Sequence, residues 1–494
     1  MKKIYIYTLT TLTLLGAASC KKPSDFGTTN NDPTAVRNPV VSALLANVEN
    51  NLPSYVANGA LSGGSYAQYF SETQYPGTSL YAAPTNSFVG TYNGDLEDCQ
   101  NVIGLNQSKN SVAAATILQQ YIYWIVTDYW GDVPYSQALQ GLKAITPAYD
   151  KQEDIYKGIV TKVQAAVASM DGGSVPGDLI YGGDASLWKR AGNSLVMLVS
   201  LQASKKVPGA SDFYATAFKA ALASGPIKEN NQNFGVAYPG GSFKSPWYNL
   251  FNGRQDWAES KTMTDYLKSI NDNRKSVFGG SYSDPGQTTG GTVSSDDGVP
   301  FGVDRTTANN YIAANSDWAM VLRADKRAQA SRVEVITASE IRLALAEAID
   351  IGWIATGLDG ETLSQSYMHG VNSSFAQWGL DAPTATYFAN ANVVVTDLPG
   401  ANAKNIAVQQ WVSAYPDGHM GWNIWRKTGF PALKPAPAAS NSSKLIVRRY
   451  MYATSEQTTN SANVKAASAR EIGYAPGVDS QDNAVWWDVL GQGK

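Results

Sequence analysis

Two glutamates on one predicted helix have the residue type and the spacing that could support acid–base chemistry. Glu340 and Glu347 lie seven residues apart in "ASEIRLALAEAIDIGW", which places them on a common helix face about 10.5 Å apart along the axis. A glycosidase pair needs carboxyl groups about 5 to 9.5 Å apart. Because Ile341, Leu345 and Ile349 repeat four apart beside them, this helix has a core-facing pattern. We therefore predict that both glutamates are structural and that the protein is not an enzyme.

Metal and nucleophile chemistry has few residues to use in this sequence. The chain has only two histidines, His369 and His419, in unrelated segments, which disfavours a histidine zinc site or a histidine-dependent triad. The acidic loop "SSDDGVPFGVD" lacks the spaced ligands and closing glutamate of an EF-hand. We predict no metal, no cofactor and no catalytic residue.

Aromatic rings are the side chains with which this chain could bind a ligand, since it holds 27 tyrosines and 13 tryptophans. Such rings serve both as packing groups and as platforms for sugar faces or peptides. Binding residues tend to lie on loops above a rigid scaffold. We predict that two or three of the rings in irregular segments contact ligand and that the others pack. The candidates are Tyr75, Tyr81, Trp247, Tyr248, Trp257, Tyr282, Tyr311 and Trp318.

Several helices must position these loops. Ile117, Tyr121, Trp124 and Ile125 share one helical face in a segment that continues to Trp130 and stops at Gly131. A second helix follows Pro147 with acidic residues in its first turn, and a third begins at Asp184, a plausible N-cap. Further helices are predicted at "ASEIRLALAEAIDIGW", "SYMHGVNSSFAQWG" and "AKNIAVQQWVSAY".

The remaining segments are rich in Gly, Pro, Ser and Asn and predict irregular structure. Between about 225 and 325 the helical pattern survives only around "SKTMTDYLKSI", and the C-terminal 75 residues are expected to be mostly loop. We predict a mostly α fold made of tetratricopeptide-like helical hairpins. The helical scaffold covers about 39–225 and 325–420, a loop-rich ligand-side region covers about 226–324, and a loop-rich C-terminal segment covers about 421–494, all in one domain over 39–494.

The N-terminus has the order of an export signal: two lysines, an apolar run too short to span a bilayer, and small residues before Cys20. We predict a signal peptide over 1–19, acylation of Cys20, and a flexible tether over 20–38. Cys99 is the only other cysteine, so a disulfide framework is disfavoured, and we expect Cys99 to be buried. The net charge of −3 gives no reason to expect a nucleic-acid partner.

Six sequence blocks, in order, resemble the SusD/RagB family of outer-membrane nutrient-binding lipoproteins. They are "VTDYWGDVPYSQAL", "PAYDKQEDIYKGIV", "DLIYGGDASLWKRAGNSL", "ASEIRLALAEAIDIGW", "IAVQQWVSAYPDGHMGWNIWRKTGFPAL", and "VRRYMYATSEQTTNSANV" with "AVWWD". Within these blocks we expect Asp128 and Asp132 to bond loop amides. The positions Arg426, Lys427, Arg448 and Arg449 resemble family positions with interior ion pairs.

The resemblance implies a surface-exposed lipoprotein anchored in the outer membrane. It would bind an oligosaccharide or a peptide and pass it to a TonB-dependent transporter of the SusC/RagA type. Two alternatives remain from the residues alone: a secreted helical glycoside hydrolase or lyase that uses Glu340 or a loop carboxylate, and a tetratricopeptide-like adaptor without a small ligand. The sequence does not decide between sugar and peptide, because aromatic rings suit both.

Overall fold

Helices dominate the first part of the chain. The computed structural model describes residues 39–82 and 86–492; the predicted signal peptide, Cys20 and tether lie outside the described residues. The first helices are α1 (Val41–Asn51), α2 (Leu61–Tyr66), α3 (Val89–Thr91), α4 (Glu97–Leu105), α5 (Lys109–Trp130), α6 (Gln152–Ser169), α7 (Ala185–Gln202) and α8 (Phe213–Ser224).

The sequence sets the ends of these helices through caps. The hydroxyl of Ser108 accepts a hydrogen bond from the N–H of Ser111 at the start of α5, and α5 ends at Gly131, whose φ of +80° suits a residue without a Cβ. Asp184 caps α7 by accepting from the N–H groups of Ser186 and Leu187. The predicted stop at Gly131 and the predicted N-cap at Asp184 are therefore confirmed.

Neighbouring helices along the chain pack against one another, α4 on α5, α5 on α6, α6 on α7 and α7 on α8. The shared core of these pairs is apolar, and Cys99 is a free thiol completely buried within it. This arrangement confirms the predicted mostly α fold of tetratricopeptide-like hairpins.

The segment 226–324 contains more regular structure than the sequence predicted. Besides the expected helix in "SKTMTDYLKSI", α10 (Lys261–Ser269), it holds α9 (Pro246–Phe251), α11 (Lys275–Phe278) and α12 (Arg305–Ala314), so the prediction of a single helical stretch there is wrong. Helix α12 was not predicted because its sequence "RTTANNYIAA" buries only Ala308 and therefore has no repeated apolar face. It begins because Asp304 accepts from the N–H groups of Thr306 and Thr307.

Short strands accompany the helices. They are β1 (Phe70–Glu72), β2 (Val133–Pro134), β3 (Tyr149–Asp150), β4 (Phe234–Ala237), β5 (Trp257–Glu259), β6 (Gly279–Ser281), β7 (Ala319–Val321), β8 (Arg332–Ile336), β9 (Ile472–Gly473) and β10 (Asn483–Ala484). Strands β1, β5, β7 and β6 form an antiparallel sheet in that order, and β4 pairs with β8. The pairings of β1 with β5 and of β4 with β8 join this segment to the rest of the chain.

Helices return after β8 and continue further than predicted. They are α13 (Ala338–Asp350), α14 (Leu363–Gln377), α15 (Ala385–Phe388), α16 (Ala403–Ala414), α17 (Gly418–Thr428), α18 (Thr454–Thr459), α19 (Ser461–Ser468) and α20 (Val489–Gln492). Helix α13 packs on α14 and on α16, and α16 packs on α17. The C-terminal segment is thus a mixture of loops and short helices.

Three of the four predicted interior ion pairs are present. Lys427 pairs with Glu347 at 2.7 Å, Arg448 with Asp488 at 2.6 Å, and Arg449 with Asp479 at 2.7 Å. Arg426 differs from the prediction: its guanidinium donates to the carbonyls of Asp128 and Arg448 and has no carboxylate within ion-pair distance among the described residues.

Asp128, in the last turn of α5, and Asp132, just after α5, behave differently from each other. Asp132 accepts from the N–H of Gln152, the first residue of α6, at 2.9 Å and pairs with Arg470 at 2.6 Å, so it bonds a backbone amide at a helix start and not in a loop. Asp128 is completely buried and bonds side chains instead, including His419 at 2.8 Å and the indole of Trp487 at 2.9 Å. The prediction that Asp128 bonds loop amides is therefore wrong, because the carboxylate accepts from side chains of other segments, among them Tyr156, His419 and Trp487.

Within residues 39–82 and 86–492, no helix is long and apolar enough to cross a bilayer.

Candidate functional site

The antiparallel sheet β1-β5-β7-β6 places the predicted loop rings at its two ends. Glu72 pairs with Trp257 in register, and Thr73 donates to the carbonyl of Asp256 at 2.9 Å, so the loops after β1 and before β5 meet at one end. At the opposite end of the strands, Ser281 pairs with Ala319, beside Tyr282 and Trp318. The rings therefore form two groups.

Of the first group, Trp257 lines an open cavity of about 360 Å³, here called the Trp257 cavity, and Tyr75 lies outside its lining. The half-buried ring of Trp257 forms one part of its lining, and Pro246 and Leu250 add apolar surface. Its polar lining consists of Ser54, Asn58, Asn249, Arg254 and Asp256. A ring bordered by amide, carboxylate and guanidinium groups is suited to the apolar face and the hydroxyls of a sugar.

Charged residues fix the rim of this cavity. Arg254 donates through Nε to Asp256 at 2.8 Å, and this partner raises the pKa of Arg254, with a smaller contribution from Tyr75. Tyr75 is 65% exposed, and the guanidinium of Arg305 lies 5.9 Å from its ring centroid. Arg305 also donates to Gln74 at 3.1 Å. Tyr75 is thus an accessible ring beside Arg305.

The second group contains a stacked pair. The ring centroids of Tyr282 and Trp318 are 4.8 Å apart, and the two ring planes differ by 16°. Trp318 is buried, whereas Tyr282 is 36% exposed. The hydroxyl of Tyr311 donates to Asp297 at 2.6 Å, and burial, together with this acidic partner, raises the pKa of Tyr311. Tyr282 is the accessible ring here, with Trp318 as its support.

The other three predicted rings are placed differently. Tyr81 is completely buried between Tyr66 and Phe301, and its hydroxyl accepts from the N–H of Ala436 at 3.0 Å. The structure therefore gives Tyr81 a packing role.

Trp247 and Tyr248 are consecutive residues of α9 with opposite surroundings. Trp247 is buried against Phe70 and lines a second, deeper cavity. Tyr248 is partly exposed, with the ammonium of Lys244 5.4 Å from its ring centroid. Only the ring of Tyr248 is open to the surface of the molecule.

The two glutamates of α13 have the bonds of structural residues. Glu340 accepts from the N–H of Thr337 at 2.7 Å in a capping box, and Glu347 pairs with Lys427 and accepts from Gln410 at 2.8 Å. Their side chains stabilise the helix start and a helix contact. The predicted structural role of both glutamates is confirmed by these bonds.

The polar residues of the Trp257 cavity were not among the residues predicted from the sequence. Arg254 and Asp256 stand two residues apart in "NGRQDW", directly before Trp257, and this pattern of charges beside a loop ring was a usable signal. Asn58 and Asn249 carry no such signal, because the fold brings them to the cavity from separate segments.

Comparison with known proteins gives one family and one fold. A SusD-like family model, described as starch-binding and associating with the outer membrane, matches residues 31–453. A chitin-binding SusD homologue from Flavobacterium johnsoniae has a TM-score of 0.76 at 21% identity, covering 92% of this chain and 99% of that chain. A SusD homologue from Bacteroides thetaiotaomicron has a TM-score of 0.76 at 21% identity, with 91% and 99% covered.

A further solved structure, a chitin-binding protein, has a TM-score of 0.72 at 23% identity and covers 91% of this chain and 100% of that chain. No curated protein matches the chain. The structural likenesses show the fold, and the family model spans most of the sequence. The chain therefore belongs to the SusD-like family, which is described as starch-binding and associating with the outer membrane.

Proposed function

We propose that this protein is an outer-membrane lipoprotein that binds an oligosaccharide without cleaving it and passes it to a TonB-dependent transporter of the SusC/RagA type. The observation that carries the binding proposal is the Trp257 cavity, where an accessible ring adjoins Asn58, Asn249, Arg254 and Asp256. Tyr75 and Tyr282 add open rings near the two ends of the same sheet.

A sugar is favoured over a peptide by the character of the site. The lining combines one indole with five polar side chains and two apolar ones, which matches a ring with an apolar face and many hydroxyls. The starch-binding description of the family and the chitin-binding relatives support the same ligand class. Peptide binding remains the second candidate ligand class.

Membrane attachment is proposed through Cys20, which lies outside the described residues. The 18 residues from 21 to 38 could reach at most about 60 Å when extended. A tether of this length would let the domain move over a transporter while it stays at the membrane. Single acyl chains bind membranes only marginally, so the anchor requires the multiple chains of a lipoprotein.

Binding is tested by titrating the purified protein with starch and chitin oligosaccharides and with peptides of similar size. We expect saturable binding of at least one oligosaccharide, reduced about three- to tenfold by Trp257→Ala and by Tyr75→Ala because each ring contributes stacking energy. Phe213→Ala, an exposed ring at the start of α8, is the control and should have no effect. Binding of peptides alone, or of neither class, would contradict oligosaccharide binding, and the second result would favour the adaptor.

The absence of catalysis is tested on the same glycan panel. Release of reducing ends by the wild-type protein that is abolished in Glu340→Gln would refute binding without cleavage. The partner is tested by purifying the wild-type protein from the membranes of the producing organism. A transporter of the SusC/RagA type should co-purify with it. A Cys20→Ser protein that stays wholly in the membrane fraction without the transporter would contradict the anchor.

A further inference from the structure

The accessible rings at the two ends of the sheet have neighbours of opposite charge. Carboxylates stand near the stacked pair of Tyr282 and Trp318: Asp317 directly precedes Trp318 in the chain, and Asp297 accepts from the hydroxyl of Tyr311 at 2.6 Å. Around the Trp257 cavity, two accessible rings each have a cation beside them. An acidic ligand is therefore attracted to the surface around this cavity and repelled from the other end of the sheet.

The first of these pairs is formed by Arg305 and Tyr75, which are both exposed. The guanidinium carbon lies 5.9 Å from the ring centroid, within the range of a cation–π contact, and Nη2 donates to Gln74 at 3.1 Å. Among the residues that the structure describes, no carboxylate oxygen lies within 4.0 Å of this guanidinium. The adjacent Asp304 accepts instead from N–H groups at the start of α12. The ring and Gln74 thus position a guanidinium whose other donors face water.

The second pair is formed by Lys244 and Tyr248, which are both partly exposed. The ammonium nitrogen lies 5.4 Å from the ring centroid. In the described part of the chain, Lys244 has no carboxylate oxygen within 4.0 Å and its ammonium group donates no hydrogen bond. Tyr248 belongs to α9, the helix that gives the Trp257 cavity three of its lining residues, Pro246, Asn249 and Leu250. This pair therefore adjoins the cavity on the side of α9.

The pair at Tyr75 adjoins the same cavity through the backbone. The N–H of Thr73 donates to the carbonyl of Asp256, a lining residue, at 2.9 Å, and two residues along the chain span at most about 7 Å. Within the cavity itself, Arg254 and Asp256 form an ion pair, so their charges largely offset each other. The cations of the two ring pairs are the charges of this surface that no acidic side chain within 4.0 Å compensates, among the described residues.

We propose that the oligosaccharide bound at the Trp257 cavity is acidic, with uronic acid units whose carboxylates pair with Arg305 and Lys244 while sugar faces contact the adjoining rings. A guanidinium matches a planar carboxylate with two parallel hydrogen bonds, and an ammonium group attracts it as a point charge. The whole chain has a net charge of −3, so these uncompensated cations also steer an acidic glycan toward the rings. This assignment rests on the proposed function, because it names the class of oligosaccharide bound at the same site.

Calorimetric titration of the full chain with tetragalacturonate and with its methyl ester tests the assignment, because the two ligands share one backbone and differ in charge. At about pH 7 the carboxyl groups of the acid are ionised. In about 0.05 M salt we expect the acid to bind at least about tenfold more tightly than the ester, since hydrogen bonds between charged groups are the stronger ones. In about 0.5 M salt this ratio should fall at least about threefold, because salt screens exposed charges. Equal affinities for acid and ester in low salt would overturn the proposal and leave oligosaccharide binding supported.

Variants locate the charges that recognise the acid. Arg305→Gln and Lys244→Gln should each lower the ratio of acid affinity to ester affinity about three- to tenfold, because each removes one cation from the surface. Lys157→Gln removes a cation from an exposed pair with Glu153 on α6 and is the control, which should keep the wild-type ratio. Trp257→Ala should weaken acid and ester by the same factor, because it removes a stacking ring and no charge. A ratio that neither Arg305→Gln nor Lys244→Gln changes would refute the assignment.

Further ligands separate this assignment from the proposed function. A sulfated neutral tetrasaccharide carries a tetrahedral anion in place of a carboxylate, and tighter binding of this ligand than of tetragalacturonate would contradict the carboxylate. Binding of starch or chitin oligosaccharides by a protein that does not bind tetragalacturonate would refute the acidic class and support the proposed function. A protein that binds none of these oligosaccharides would refute the proposed function and this assignment together.

Discussion

Glu49 on α1 is predicted to make the protein less stable as the pH rises. Glu49 is completely buried, Oε2 accepts from the N–H of Leu179 at 2.5 Å, and Oε1 has no partner among the described residues. Burial, followed by the nearby negative charge of Asp178, raises the pKa of Glu49 to about 9. Asp178 itself accepts from three backbone N–H groups and from the indole of Trp188. The protonated form of Glu49 therefore fits this site.

The sign and size of the effect follow from proton linkage. With an unfolded pKa of 4.5 and a folded pKa of about 9, the folded protein binds more protons than the unfolded protein between these values. The contribution of Glu49 to the free energy of unfolding is fully present below pH 4.5 and is lost as the pH rises toward 9. Each pH unit in this window costs about 1.4 kcal/mol, so between about pH 5 and 8 the loss is about 3 to 4 kcal/mol.

Glu49→Gln replaces the protonated carboxyl by a neutral group of the same shape, so its stability should lack this pH dependence. Urea unfolding of wild type and variant from about pH 5 to pH 8 measures the difference. Across this range the free energy of unfolding of the variant should rise by about 3 to 4 kcal/mol relative to that of wild type. Glu153→Gln, at an exposed pair with Lys157, is the control and should track wild type. A constant difference between wild type and Glu49→Gln at every pH would refute the reasoning.

Two further substitutions test packing of the scaffold. Lys427→Met leaves Glu347 buried without its cation and should lower the free energy of unfolding, measured in urea, by about 3 to 5 kcal/mol. The double variant that also carries Glu347→Gln should recover most of that stability. A double variant no more stable than Lys427→Met would contradict the role of the pair. Gly421→Ala places a Cβ 2.3 Å from the ring of Tyr69 and should cost about 1 to 3 kcal/mol, whereas Gly104→Ala on α4, where a Cβ meets nothing within 4 Å, should be neutral or stabilising by up to about 1 kcal/mol.

Helices with an apolar period and a strong cap were predictable from the sequence, and those held by tertiary contacts were not. The segment 185–202 has both signals, because Asp184 precedes a regular apolar face. Helix α17 has a sequence, "GHMGWNIWRKT", with two glycines and an asparagine, which lowers its intrinsic helix propensity. It forms because Asp417 caps it and because Gly421 lets it approach Tyr69 closely.

The candidate rings were predictable as a set but not one by one. Tyr75 and Tyr81 are both tyrosines in an irregular segment, yet Tyr75 is 65% exposed and Tyr81 is completely buried. The difference arises from Phe301 and Ala436, which reach Tyr81 from more than 200 residues away. No local pattern contains such information, since burial of a loop side chain depends on which distant segments cover it.

Irregular segments in this protein keep their shape through buried polar side chains. Arg449, in a stretch without helix or strand, donates to the carbonyl of Trp130 at the end of α5 and pairs with Asp479. Arg274, beside α11, is completely buried and pairs with Asp272 at 2.7 Å. Because charge-assisted hydrogen bonds of this kind are stronger than neutral ones and a buried guanidinium must have its donors paired, each of these arginines holds its irregular segment in one conformation without a helix or a strand.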